Sequence, residues 1–291
     1  MNKSGIVWTD QTWSPVTGCS KVSVGCKNCY AEREVETRWS KNPKSVFFGR
    51  KFTDVQTHYE KLEEPLRWKK GRRIFVCPRG DLFHEAVQDS FIDKVFAVMA
   101  LCPQHIFQVL TKRPARMLNY LTGPDVVDRW CSIAKGLPEL ARRKKIIDPM
   151  AWGSSLRNVW IGVSVENQPA AAERIPLLLK TPAAVRWVSV EPMLGAVDLT
   201  RIEHPCYNIL TDVLSGCDSR APCDSGTLDW VVCGGESGSN ARPMHPDWVR
   251  SLRDQCAAGG VPFLFKQWDG TKAAGRLLDG VLHDGYPVVQ P

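Results

Sequence analysis

No stretch of the chain approaches the roughly 18 consecutive uncharged apolar residues of a membrane-spanning helix. Residues 1–10 also lack the apolar run of a signal peptide. These absences predict a soluble, cytoplasmic protein. There is no low-complexity tract. No histidine or Cys-x-x-Cys pair accompanies Cys206, Cys217 and Cys223, so their closeness is weak support for a second metal site. With 291 residues and 11 cysteines, an odd number, the chain argues against a disulfide framework, because such frameworks belong mostly to short secreted chains. In a reducing compartment the scattered thiols Cys77, Cys102, Cys131, Cys233 and Cys256 read as small buried hydrophobes.

The apolar content of 43% is enough to fill the core of one α/β barrel. The expectation is a single domain over residues 1–291, with an N-terminal cysteine loop at 19–29 and insertions near 121–157 and 198–228. The net charge of +7 permits a nucleic-acid partner without requiring one.

The sharpest motif is Thr17-Gly18-Cys19-Ser20-Lys21-Val22-Ser23-Val24-Gly25-Cys26-Lys27-Asn28-Cys29-Tyr30, three thiols with six and then two residues between them. No fourth ligand is evident nearby. A structural zinc site closes with four protein ligands, whereas three thiolates can hold a [4Fe–4S] cluster and leave one iron open to a small molecule. Gly18 and Gly25 each precede a cysteine, where backbone N–H groups could reach the sulfurs; two ordinary turn glycines fit as well. A helix is predicted from Tyr30 to Trp39, with Glu34 and Arg38 as an i, i+4 pair.

Further along, short β-branched or aromatic runs alternate with helical patterns. Strands are predicted at 6–8, 74–77, 106–110, 159–164, 185–190, 230–233 and 263–265, and helices over 89–101, 115–121, 168–179 and 246–258. Such alternation implies parallel pairing with right-handed crossovers. Residues 40–73 mix basic side chains with Phe47, Phe48, Phe52, Tyr59 and Trp68. This pattern suits either nucleic-acid stacking or a solvated helical face over core aromatics. The run Arg142-Arg143-Lys144-Lys145 is open to the same two readings.

In a parallel barrel the chemistry gathers at the carboxyl ends of the strands. Asp81, Lys112, Glu166, Glu191, Glu236 and Lys266 all fall at predicted strand ends, a placement that a core does not tolerate for unpaired charges. They read as a polar site, or as charges that pair with one another and cap the barrel mouth; Lys112, Glu191 and Lys266 are the candidate catalytic groups. Gly234 and Gly235 before Glu236 could bring backbone up to a ligand. His84 and His245 read as acid, base, ligand or plain loop residues.

Trp8-Thr9-Asp10-Gln11-Thr12-Trp13-Ser14-Pro15-Val16-Thr17-Gly18-Cys19, the cysteine spacing through Tyr30, Leu110-Thr111-Lys112-Arg113-Pro114, Val188-Ser189-Val190-Glu191-Pro192, Gly234-Gly235-Glu236-Ser237-Gly238 and Phe265-Lys266-Gln267-Trp268 carry a resemblance. Together they resemble a phage-associated family of three-cysteine proteins, usually called after phage gene products 37 and 68, which is itself similar to the radical S-adenosylmethionine (SAM) superfamily.

The resemblance implies a partial or complete TIM-type barrel and a [4Fe–4S] cluster on Cys19, Cys26 and Cys29. It also implies SAM at the open iron and an electron donor. Reductive cleavage of SAM would give methionine and a 5′-deoxyadenosyl radical that takes hydrogen from a substrate, with a nucleic acid or nucleotide as the candidate. Tyr30, Asp81, Glu166, Gly234, Gly235 and Glu236 are the candidate cofactor contacts. A phage-encoded protein partner and a place in the host cytoplasm also follow from the resemblance. The chain departs from the superfamily in its wider first cysteine spacing. It also carries Cys77-Pro78-Arg79-Gly80-Asp81 at the second strand, where Gly-Gly-Glu usually stands. The alternatives are a zinc-containing nucleic-acid-binding protein and a non-catalytic barrel scaffold.

Overall fold

The computed structural model describes residues 4–136, 155–203, 210–215, 226–270 and 275–288. The fold is mixed α/β. One sheet holds β1 (Gln11–Trp13), β2 (Arg73–Val76), β3 (Ile106–Thr111), β4 (Val159–Val165), β5 (Val185–Val190), β6 (Trp230–Gly234) and β7 (Phe263–Gln267), hydrogen-bonded in chain order. The pairs β1–β2, β2–β3, β5–β6 and β6–β7 are parallel. Parallel neighbours need a crossover, and helices lie in the connections of β1–β2, β2–β3 and β6–β7, whereas the described residues between β5 and β6 hold a short strand pair and no helix. α1 is Tyr30–Thr37, α2 Asp89–Ala100, α3 Pro114–Leu121, α4 Val126–Gly136, α5 Gln168–Lys180 and α6 Pro246–Ala258.

The chain divides into two compact units. One comprises Met1–Lys21, Ala31–Ile161 and Pro182–Ala184, and the other Val22–Tyr30, Gly162–Thr181 and Val185–Pro291. In the first, the apolar face of α2 meets α4, with Phe96 stacked on Trp130 at 4.8 Å. Trp13, fully buried on β1, lies 5.7 Å from Phe107 and donates its indole N–H to the Lys61 carbonyl at 2.8 Å. In the second unit Trp187 and Trp230 meet at 5.2 Å, and the Trp230 indole donates to the Gly285 carbonyl at 2.8 Å. Each such fully buried large side chain is worth about 2–3 kcal/mol of apolar transfer, and Trp13 and Trp230 have their indole N–H groups satisfied as well.

The expected strands from β2 onward form within a residue or two of their predicted bounds. The first does not. Residues 6–8 make a turn closed by Thr9 N–H to the Ile6 carbonyl at 3.3 Å, and Trp8 packs from that turn onto Phe75 at 4.6 Å. The strand lies instead at Gln11–Trp13, in the polar stretch. At the edge of a sheet a polar residue such as Gln11 is tolerated, and apolar content there is a poor guide.

Residues 40–73 form no long helix. They make short 3-10 turns at Trp39–Lys41, Tyr59–Lys61 and Pro65–Arg67 and a strand Gln56–Thr57 paired with Val16–Thr17. Phe47 and Phe52 are core, while Phe48 and Tyr59 are exposed. Glu34 does not pair with Arg38: it accepts from Arg79 at 3.1 Å, and Arg38 lies over the Trp39 ring.

The first interval carries α4, and the second a short antiparallel pair, Ile202–Glu203 with Leu210–Thr211. The run Arg142-Arg143-Lys144-Lys145 and Cys206, Cys217 and Cys223 lie outside the described residues.

Candidate functional site

In the first unit β3 runs into α3 through Thr111-Lys112-Arg113-Pro114. Pro114 takes the first helical position, where its missing N–H costs nothing. Phe107, Val109 and Thr111 are buried on alternate positions of β3, and Arg113 continues that series. Its guanidinium is almost wholly enclosed. Nε donates to Glu85 at 2.8 and 2.9 Å, and Nη1 to Asp81 at 3.2 Å and to the Cys19 sulfur at 3.5 Å. Nη2 donates to the Ser20 carbonyl at 3.3 Å and to Ser20 Oγ at 2.8 Å. Burial disfavours the arginine charge, but Asp81, Cys19 and Glu85 outweigh it and hold the pKa above its ordinary value.

Asp81 is equally committed. Its carboxylate accepts from Thr111 Oγ1 at 2.8 and 2.9 Å, the Phe83 N–H at 3.0 Å and the Lys112 N–H at 3.2 Å. His84 follows. The Ala86 N–H donates to its Nδ1 at 3.1 Å, which leaves the ring proton on Nε2, 2.9 Å from Ser20 Oγ. Burial and then the Arg113 charge keep the His84 pKa below its usual range. The Ser20 oxygen thus accepts from both His84 and Arg113.

The backbone entering Cys19 is locked by two glycines. Gly18 sits at φ 88°, and a Cβ there would stand 2.7 Å from the Asp54 carbonyl oxygen. Its N–H donates to the Arg79 carbonyl at 2.9 Å, and the Cys19 N–H to the Phe52 carbonyl at 3.0 Å. A Cβ on Gly80 would meet the Val16 carbonyl at 2.9 Å. Gly18 therefore serves chain packing, and its N–H does not point at a sulfur.

In the second unit the cysteine segment is held by two strand-end carboxylates. Glu166 follows β4, and Asn167 then caps α5 by accepting from the Ala170 N–H at 3.1 Å. Glu166 is buried: Oε1 accepts the Gly25 N–H at 3.3 Å and Oε2 pairs with the buried Arg174 at 3.0 Å. Glu236 follows β6. Its Oε2 accepts from Asn28 Nδ2 at 2.8 Å, the Arg242 N–H at 3.0 Å and Arg242 Nε at 3.1 Å, while Oε1 accepts from Arg242 Nη2 at 2.6 Å. Burial raises the Glu236 pKa, but the Arg242 hydrogen bonds and that of Asn28 prevail and lower it. Arg242 also donates to the Val24 carbonyl at 3.0 Å, and Asn28 to the Asn240 carbonyl at 3.0 Å. Gly25, like Gly18, spends its N–H away from sulfur.

The remaining predicted residues fall as follows. Glu191 accepts from Ser189 Oγ at 2.9 Å and pairs with Lys266 at 2.8 Å. A Cβ on Gly234 would stand 2.7 Å from Glu191 Oε1, and one on Gly235 would stand 2.4 Å from the Asp269 nitrogen. The Gly234 carbonyl accepts from Met193 and the Gly235 N–H donates to Gln267, at 3.0 and 2.9 Å. The pair is small because backbone and carboxylate crowd it. Tyr30 opens α1 and is exposed; Lys112 contributes its N–H to Asp81. His245 caps α6, accepting from the Asp247 N–H at 3.2 Å.

Arg113 and Asn28 are the residues that sequence reasoning missed. Apolar residues occupy both alternate sets of β3 and Gln108 is buried as well, so the sequence carries no signal that selects Arg113 over the neighbouring Lys112. Asn28 had none beyond its place between two cysteines.

None of the eight described cysteines is in a disulfide: Cys19, Cys26 and Cys29 are part exposed, while Cys77, Cys102, Cys131, Cys233 and Cys256 are buried. Burial pushes the Cys256 thiol up to about 12 and raises Cys77 and Cys233 well above the ordinary thiol range, which makes them unreactive. Among the described residues no group of three or more His, Cys, Asp or Glu side chains is gathered as a metal site, and no helix is long and apolar enough to cross a membrane.

No curated protein and no solved structure matches the chain. A family model described as a protein of unknown function (DUF5131) matches residues 3–287. With nearly its whole length covered, the chain belongs to that family.

Proposed function

We propose that the chain is an iron–sulfur enzyme of radical-SAM-like type, in which Cys19, Cys26 and Cys29 would hold a [4Fe–4S] cluster. The observation that carries the reading is the contrast among the thiols: three closely spaced cysteines are part exposed and outside any disulfide, while the other described cysteines are buried. As three soft donors in a motif that holds no fourth cysteine and no histidine, they suit a cluster with one open iron. When bound with SAM, such a cluster supplies the electron that splits SAM to a 5′-deoxyadenosyl radical able to take hydrogen from a substrate.

The chain's own residues prepare this chemistry. Glu166 and Glu236 fix the backbone and the Asn28 side chain on either side of Cys26, so that part of the ordering entropy is met before ligands bind. The Lys266–Glu191 ion pair at the ends of β7 and β5 would serve substrate or cofactor there, as would Lys112 at the end of β3. Strands in chain order with helices in most of the connections support a partial or complete TIM-type barrel. Exposed Lys41, Lys44, Lys51, Lys69 and Lys70, with exposed Phe48 and Tyr59, support a nucleic-acid or nucleotide substrate.

The test is purification without oxygen, reconstitution with iron and sulfide, metal analysis, and a SAM cleavage assay with a chemical reductant. About four irons per chain and release of 5′-deoxyadenosine and methionine are expected. One zinc and no iron, or a cluster that never cleaves SAM, overturns the reading.

A further inference from the structure

From Thr37 to Thr53 the chain carries the cations Arg38, Lys41, Lys44, Arg50 and Lys51 and no carboxylate. This segment lies within the first unit, and the Gly49 N–H donates to the Ser40 carbonyl at 2.9 Å to close a compact loop over 40–49. Gly49 turns the chain at φ 67°. Inside the loop the Lys44 N–H donates to Asn42 Oδ1 and the Phe47 N–H to Ser45 Oγ, each at 3.0 Å. Arg50 lies over the Phe47 ring at 5.5 Å and donates to the Val46 carbonyl at 2.6 Å. These bonds fix the backbone, and Phe47, 3% exposed, anchors it; the adjacent Phe48 is left 54% exposed. Lys41, Lys44 and Lys51 are exposed too, and among the described residues none of them pairs with a carboxylate. At the foot of the loop Arg38 is held over the Trp39 ring at 4.9 Å.

We infer that this loop is a docking site for single-stranded nucleic acid, with Lys41, Lys44 and Lys51 on the phosphates and Phe48 stacked on a base. The inference rests on the nucleic-acid substrate proposed above and not on the iron–sulfur chemistry. Lysines alone would take any polyanion, and Phe48 selects the class. In a duplex the base faces are already stacked on one another, so a ring on a short loop finds a free base only in a single strand. A lipid surface also offers negative charge beside an apolar layer, but binding there scales with the apolar area buried, and Phe48 alone among the large apolar side chains of this loop is exposed. Because the loop is already fixed by its own hydrogen bonds, little ordering is left to lose on binding.

The experiment is fluorescence anisotropy on the full chain over a salt series, with labelled oligothymidylate and oligouridylate of about 20 nucleotides and a DNA duplex of equal length. Phosphatidylserine vesicles are tested by cosedimentation. The variants are Phe48→Ala and the triple variant Lys41→Ala, Lys44→Ala, Lys51→Ala, with thermal melting to check that each is folded. Single strands should bind more tightly than the duplex, and Phe48→Ala should lose about tenfold in affinity at an unchanged salt slope. In the triple variant the slope of log affinity against log salt should fall in magnitude by about 2. Wild-type affinity in Phe48→Ala, or a wild-type slope in the triple variant, overturns the inference and leaves the nucleic-acid substrate standing. A duplex bound as tightly as the single strands overturns it as well. If the triple variant fails to fold, Phe48→Ala alone decides. A wild type that binds neither oligonucleotide, or only the vesicles, overturns the inference and the nucleic-acid substrate together, while metal analysis decides the iron–sulfur reading separately.

Discussion

One nitrogen of Arg113, Nη1, donates both to the Asp81 carboxylate at 3.2 Å and to the Cys19 sulfur at 3.5 Å, so the end of β3 and the residue that opens the cysteine motif share a single donor. Asp81 is thereby the residue on which the orientation of that donor depends. Replacing it leaves a buried guanidinium with Glu85 as its remaining carboxylate partner. Asp81→Ala should cost about 3 kcal/mol, the lower end for a broken buried pair, because Glu85 persists. Urea denaturation of the two proteins measures it, and a loss under about 1 kcal/mol would mean that the pair is solvated.

Glu166 and Arg174 form the second buried pair, at 3.0 Å, and Glu166 also accepts the Gly25 N–H. Glu166→Ala leaves Arg174 with the Ser164 carbonyl at 2.8 Å and should destabilise by about 3–5 kcal/mol. Glu166→Gln keeps the shape, loses the charge and should cost less. Thermal unfolding of both variants gives the order.

Glu236→Gln tests the cysteine segment more gently, since an amide can keep one of its bonds to Asn28 or Arg242. Alkylation of Cys26 and Cys29, followed by mass spectrometry, should speed up severalfold in the variant while the buried Cys233 and Cys256 stay unmodified. An unchanged rate would show that Glu236 does not hold that segment.

Gly18→Ala should be costly for two reasons that add. The residue sits at φ 88°, and the new methyl would meet the Asp54 carbonyl at 2.7 Å. Strain and overpacking together predict a loss of about 2–4 kcal/mol, read as a lower melting temperature.

His58 supplies a pH test. Its Nε2 lies 2.7 Å from Thr17 Oγ1 and its Nδ1 3.1 Å from Glu60. Burial first, then Lys61, lowers its pKa from 6.5 against the opposing pull of Glu60, with Arg50 adding to the lowering. A lowered folded pKa means that the unfolded chain binds the proton more readily. The contribution of His58 is therefore complete above about pH 6.5 and is lost as pH falls through the folded value. Melting temperatures between pH 5 and 7 should fall on acidification, and less steeply in His58→Gln.

How much of this was legible before folding differs from element to element. β3 and β5 announced themselves because β-branched and aromatic residues in a short run have few other uses in a chain of this composition. The turn at residues 6–8 hid its nature, because Val7 and Trp8 look the same whether they enter a strand or a turn that buries Trp8 on Phe75. The carboxylates at the strand ends were visible as charges, since ionised groups cannot sit unpaired in a core. Their partners were not: Asn28 with Glu236 and Gly25 with Glu166 are separated by 208 and 141 residues, distances over which a single sequence carries no register.

The sequence by itself determined the alternation of strand and helix and the three-thiol motif, because hydrophobic period and residue chemistry are local properties. Only the tertiary structure decided that Glu166 and Glu236 grip the cysteine segment, that Gly18 and Gly80 serve backbone packing, and that Arg113 rather than Lys112 turns inward to Cys19. Those outcomes depend on which distant groups arrive at one place, and a buried charge accepts only the position where its counter-charges are already waiting.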